Sequence, residues 1–214
     1  MNAPEGSALQ GGPARDAKLR RLLLTIAVLA VLFAGTAVTL VATRDRRQPP
    51  AASNIGGRFR LVATDGSIVT DQTYMGKWEL IYFGYTFCPD ACPTALSDMT
   101  LGLERLGPAA AQIKPLFITV DPKRDTRTVL ASYLKSFDPR IEALTGTEQQ
   151  TSAIAAAYHV FIKANSEASG DGLVDHSAYV YVMDPYGKFV DVIDGATAGD
   201  SMAEKLQMMV DQYL

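Results

Sequence analysis

The chain has 214 residues, enough for one domain with a proper core and an appendage but too few for two full domains of ordinary size. Its formal charge of -3 is unevenly spread: residues 1–47 carry seven Lys or Arg against three acids, and residues 48–214 thirteen against twenty. An acidic body without a Lys/Arg cluster lacks the electrostatic footprint that phosphate backbones select, which argues against nucleic acid as a partner.

Residues 1–21 read as a disordered basic tail, and residues 1–17 show little apolar periodicity. From Leu22 to Ala42 run 21 residues without a charge, enough to cross a hydrocarbon core of about 30 Å as a helix. A signal-peptide apolar region has only about 7–15 residues, and Arg44, Arg46 and Arg47 follow directly, so residues 22–42 read as an uncleaved transmembrane anchor. Arg15, Lys18, Arg20 and Arg21 stand before the span, which leaves the positive-inside rule almost tied. Residues 43–57, with Pro49, Pro50 and two glycines, read as a linker, and residues 58–214 as the globular domain.

Within that domain, apolar or alternating runs at Phe59–Ala63, Leu80–Tyr85, Leu116–Val120, Ala178–Met183 and Phe189–Ile193 predict strands. Helices are predicted over Thr94–Leu106, Thr126–Phe137, Glu148–Ala157 and Met202–Tyr213. Asp184-Pro185-Tyr186-Gly187 reads as the turn of an antiparallel hairpin. Alternating strands and helices, then a hairpin and a closing helix, make the expected class α/β with the thioredoxin ground plan.

The chain has only two cysteines and two histidines, so any soft-metal or redox site must draw on four residues. Cys88-Pro89-Asp90-Ala91-Cys92-Pro93 lies where a buried strand gives way to a helix. Ligands gather at this end of parallel strands, and helix-terminal N–H groups favour anions, so both thiols are expected to ionise readily. The two prolines disfavour helical geometry at the residues before them, which puts the pair on the loop and first turn. Two such thiols can close as a redox-active disulfide or share a metal, for which His176 is the obvious third donor. Two thiolates and one imidazole suit copper better than structural zinc, which takes four protein ligands.

His176, in Val174-Asp175-His176-Ser177, is preceded by a polar, glycine-containing stretch expected to be mobile without metal and ordered with it. Asp175 is a candidate to orient its ring. His159, at a helix end, has no neighbouring donor and is only a reserve ligand. Asp125 or Thr126 is expected to cap the helix that follows, and Asp121 to bond within its loop. Tyr82, Phe83, Tyr85 and Phe87 are assigned to packing.

The run Tyr82-Phe83-Gly84-Tyr85-Thr86-Phe87-Cys88-Pro89-Asp90-Ala91-Cys92-Pro93, with Val120-Asp121-Pro122-Lys123-Arg124-Asp125-Thr126 and Asp175-His176-Ser177, resembles the Sco proteins, also called SenC or PrrC-type. The resemblance implies that Cys88, Cys92 and His176 bind one copper ion, Cu(I) or Cu(II), in a thioredoxin-like domain. It further implies assembly of the binuclear copper centre of cytochrome c oxidase, with the oxidase's copper-bearing subunit as partner and room for another copper chaperone as donor. It places the domain in the periplasm, anchored to a bacterial inner membrane through residues 22–42; residues 1–17 lack the Arg-rich pattern of a mitochondrial presequence. A metallochaperone uses all three residues. A thiol-disulfide oxidoreductase that reduces the oxidase's cysteines, or a redox or copper sensor, is the alternative. Three residues between the cysteines, where thioredoxin-type enzymes have two, favour metal binding.

Overall fold

The computed structural model describes residues 55–164, 174–176 and 178–212, together with Leu23, Ile26 and Leu29; for residues 163, 164 and 174–176 it describes the backbone alone. The chain divides into two units, Met1–Ala52 and Ser53–Leu214. Leu23, Ile26 and Leu29 are helical and exposed. The rest of the expected span, residues 22–42, lies outside the described residues, as do residues 1–21 and most of the linker. Among the described residues no helix is long and apolar enough to cross a membrane.

The second unit is built on β3 (Trp78–Gly84), a strand with all seven residues buried. It pairs in parallel with β4 (Ile113–Thr119), which pairs in parallel with β5 (Glu142–Thr145). Its other edge pairs antiparallel with β8 (Tyr179–Met183), which forms a hairpin with β9 (Phe189–Asp194). β1 (Arg60–Ala63) and β2 (Ile68–Thr70) complete the sheet order β2-β1-β5-β4-β3-β8-β9. This is the expected parallel unit with an antiparallel hairpin. The Asp184 carboxylate makes the hairpin turn by accepting from the Tyr186 and Lys188 amides at 2.8 and 2.9 Å, and Gly187 supplies φ 73°.

Alternation along β3 divides the core. Trp78, Leu80 and Tyr82 enter one cluster, and Ile81 and Phe83 the other. The first cluster is covered by α1 (Ala91–Arg105) through Ala95, Leu96, Met99 and Leu103, and by the closing helix α4 (Gly199–Gln212) through Met202, Leu206 and Val210. Leu130 of α2 (Arg127–Tyr133) joins the same side. α3 (Glu148–Ala157) covers the second cluster with Ile154 and Ala155, and its start carries a capping box between Thr147 and Gln150. Each large side chain buried this way contributes about 1.5–3 kcal/mol.

Several boundaries differ from expectation, those of β3, β4, α4, α1 and α2 among them. α1 begins at Ala91, three residues early, because Pro93 in a first turn sacrifices no hydrogen bond. α2 ends at Tyr133, and Leu134–Ser136 tighten into a 3-10 turn. The short strands β2, β5, β6 (Ile162–Ala164) and β7 (Val174–His176) were not anticipated, nor was the 3-10 helix Gly107–Gln112.

Candidate metal centre

β3 ends at Gly84, where a Cβ would lie 2.8 Å from the Cys92 sulfur and 2.7 Å from Phe117. The absent side chain is what lets strand and helix close on each other. The Cys88 amide then donates to the Tyr85 carbonyl at 3.3 Å, holding Cys88 on a turn. Asp90 occupies the N-cap position of α1 but its side chain makes no capping bond. The Cys88 sulfur takes up part of that role, accepting from the Cys92 amide at 3.3 Å. Cys88 thus sits on the loop, half-buried, and Cys92 on the first turn, fully buried; neither is in a disulfide.

The two thiols are not alike, which corrects the expectation that both ionise readily. Burial pushes the Cys92 thiol up to about 12, against the opposing pull of a backbone hydrogen bond from Tyr85, and its coupling to Cys88 adds to the rise. Desolvation at a fully enclosed sulfur outweighs the helix N-terminus. The Tyr82 hydroxyl lies 3.9 Å from the Cys92 sulfur. Tyr133 brings a second buried phenol to this region, its hydroxyl without a hydrogen-bond partner. Burial, and then the neighbouring cysteines, hold both phenols well above their usual range. Tyr82 therefore does more than pack. Phe87 does not pack in the core at all: it is 57% exposed, with the Arg124 guanidinium 4.9 Å from its ring centre.

Asp125 ties the cysteine loop to the sheet. Fully buried, its carboxylate accepts from the Thr86 amide at 3.1 Å, the Thr86 hydroxyl at 2.5 Å and the Thr119 hydroxyl at 2.6 Å. Thr126, not Asp125, caps α2 by accepting from the Val129 amide. Asp121 bonds within its own loop, as expected, pairing with the Arg124 side chain. The Asp125 linkage escaped sequence reading because an acid before a helix looks like a cap, and only the fold brings Thr86 and Thr119 to it.

His176 ends β7, which pairs with β6 in a separate two-stranded ladder with His176 opposite Ile162. Val180 of β8, four residues later, pairs with Tyr82 near the carboxyl end of β3, the end that carries the cysteines. The side chains of His176 and Asp175, and residues 165–173 of the preceding stretch, lie outside the described residues. His159 is exposed and follows α3 with φ 54°, on the helix that covers the opposite face from Cys92. Among the described residues no three of His, Cys, Asp and Glu cluster as metal donors, so a metal shell here requires a donor beyond Cys88 and Cys92. The donor chemistry of the two sulfurs fits a soft metal ion: they are adjacent and thiol-only, and Cys92 is enclosed in the core.

A family model described as SCO1/SenC matches residues 47–211. The chain is 33% identical to protein SenC of Rhodobacter capsulatus over 203 residues, covering 92% of each. It is 36% identical to the human mitochondrial protein SCO1 homolog over 151 residues, 69% of this chain and 50% of that one. It thus spans about half the length of the mitochondrial relative. Among solved structures it matches Bradyrhizobium japonicum ScoI with copper bound, with TM-score 0.67 and 39% identity over 72% of this chain and 98% of that one. A more distant likeness in fold, with TM-score 0.59 and 20% identity, covers 76% of this chain and 97% of BsSco, described as having a disulfide switch and as a member of the Sco family of cytochrome c oxidase assembly proteins. With a thioredoxin-like fold, a paired-cysteine loop at the carboxyl end of its central strand and these matches over most of its length, the chain belongs to the SCO1/SenC family.

Proposed function

We propose that this protein is a copper metallochaperone that carries one copper ion on Cys88, Cys92 and His176 and delivers it to the binuclear copper centre of cytochrome c oxidase. The observation that carries this reading is the pairing of the two sulfurs, with the Cys92 amide on the Cys88 sulfur and the Cys92 sulfur buried beside the Tyr82 hydroxyl. Burial disfavours a thiolate at Cys92, and a bound copper ion would supply positive charge there. The copper-bound ScoI structure supports the choice of metal. The oxidase's copper-bearing subunit is the acceptor in this reading, and another copper chaperone the donor. Residues 22–42 anchor the chain in a bacterial inner membrane, with the domain in the periplasm.

A second reading, a thiol-disulfide oxidoreductase acting on the oxidase's cysteines or a redox sensor, is favoured by one observation: the two cysteines are adjacent, and Cys88 is the accessible one. In that reading Cys88 attacks and Cys92 resolves.

His176→Ala separates the two. Delivery predicts that the variant loses copper retention and oxidase assembly together while its dithiol still cycles. Retained assembly in that variant would favour thiol exchange.

A further inference from the structure

Away from the cysteines, at the amino-terminal end of β3, a cavity of about 540 Å³ opens at the edge of the second core cluster. Glu79, the second residue of β3, lines it and is only 4% exposed. Its strand neighbours are Lys114, whose ammonium pairs with Glu142 at 2.6 Å, and Met183. Among the described residues the Glu79 carboxyl has neither a hydrogen-bond donor nor a cation beside it. Burial, and then the negative charge of Asp71 across the cavity, hold it up at about 7. Arg58 contributes the one guanidinium of the lining, and it is exposed and is not among the charges acting on Glu79.

A buried acid facing a second acid across open space is an arrangement that a cation would relieve. The remaining walls suit one. Tyr158 and Tyr186 contribute aromatic side chains to the lining, and Met75 and Met183 polarisable thioethers. A metal ion is disfavoured, because no three of His, Cys, Asp and Glu cluster among the described residues. The volume falls in the range of about 300–1,000 Å³ that small organic ligands occupy. We propose that this cavity binds an organic cation, an alkylammonium or guanidinium group, held by Glu79 and Asp71 against Tyr158 and Tyr186. The site is separate from the cysteines and stands whether or not the chain delivers copper.

The cation could belong to a free amine or to an arginine side chain of another protein, and two probes distinguish these. Agmatine and the blocked tripeptide acetyl-Gly-Arg-Gly-amide are titrated calorimetrically into the full chain in detergent micelles, in mildly alkaline buffer. Saturable binding is expected, weakened about tenfold or more by Glu79→Gln and severalfold by Asp71→Asn, with Cu(I) stoichiometry unchanged in both. Asp71 lies at the half-exposed turn after β2, so Asp71→Asn keeps the test valid if Glu79→Gln fails to fold. Preference for agmatine assigns a free amine, and preference for the tripeptide assigns a partner's arginine. Failure of both probes to bind, or binding that neither substitution weakens, overturns the proposal.

Discussion

The Cys92 amide donates to the Cys88 sulfur at 3.3 Å, while the Cys92 sulfur itself turns into the core beside Tyr82. One cysteine is therefore the accessible acceptor of a helix-terminal N–H, and the other an enclosed thiol pushed up to about 12. Alkylation should read this asymmetry directly. With the reduced native protein near neutral pH, iodoacetamide is expected to label Cys88 at least about tenfold faster than Cys92, as peptide mass mapping would report. Equal rates would contradict the assigned burial.

Asp125 is expected to matter out of proportion to its distance from the sulfurs. Asp125→Ala leaves Thr86 and Thr119 without their shared acceptor and should cost about 2–4 kcal/mol in chemical denaturation. Because Thr86 stands two residues before Cys88, copper retention should fall as well, even under conditions where the variant is folded. Retention equal to that of the unaltered protein would limit Asp125 to a purely structural part.

Glu79 gives the stability a pH dependence of definite sign. Its carboxyl titrates near 7 when folded, against 4.5 ordinarily, so between those values the folded state holds the extra proton. Stability from this group is present below about pH 4.5 and lost as pH rises through about 7, by at most about 3 kcal/mol and less where water enters the open cavity. Denaturation midpoints measured across this range should fall with pH for this contribution. In Glu79→Gln the decline should be absent; an unchanged profile would show that Glu79 titrates ordinarily.

His159 and His176 should separate cleanly. His159 sits in the left-handed region just past α3, where glycine is preferred. His159→Gly is expected to raise stability by about 0.5–1 kcal/mol and leave copper binding intact, checked by thermal denaturation and metal analysis. Loss of copper in this variant would make the reserve ligand the true one.

Much of this was legible in the sequence, and the failures have physical causes. The run Leu80–Tyr85 marks the central strand because both of its faces are buried, and the spacing of Cys88 and Cys92 marks a paired site wherever the helix starts. The four-residue strand β5 and three-residue strands β2, β6 and β7 are too short for alternation to be visible. Their pairing is set by neighbours across the sheet rather than by their own pattern. The ionisation of Cys92 was misjudged because a helix N-terminus can be read from Asp90-Ala91-Cys92-Pro93, whereas enclosure by Tyr82, Phe117 and Gly84 depends on the folded core. The cavity at Glu79 was invisible for the same reason, since Asp71, Tyr158 and the hairpin residues Met183 and Tyr186 converge on it from three separate segments.

The most direct test of the copper-carrier reading is an anaerobic Cu(I) titration of the fully reduced chain in detergent micelles, with free thiols counted at each step. One copper per chain with both thiols protected, lost in Cys88→Ala and Cys92→Ala, is the predicted result. A chain that takes up no copper yet cycles readily between dithiol and disulfide would contradict it and make the protein an oxidoreductase.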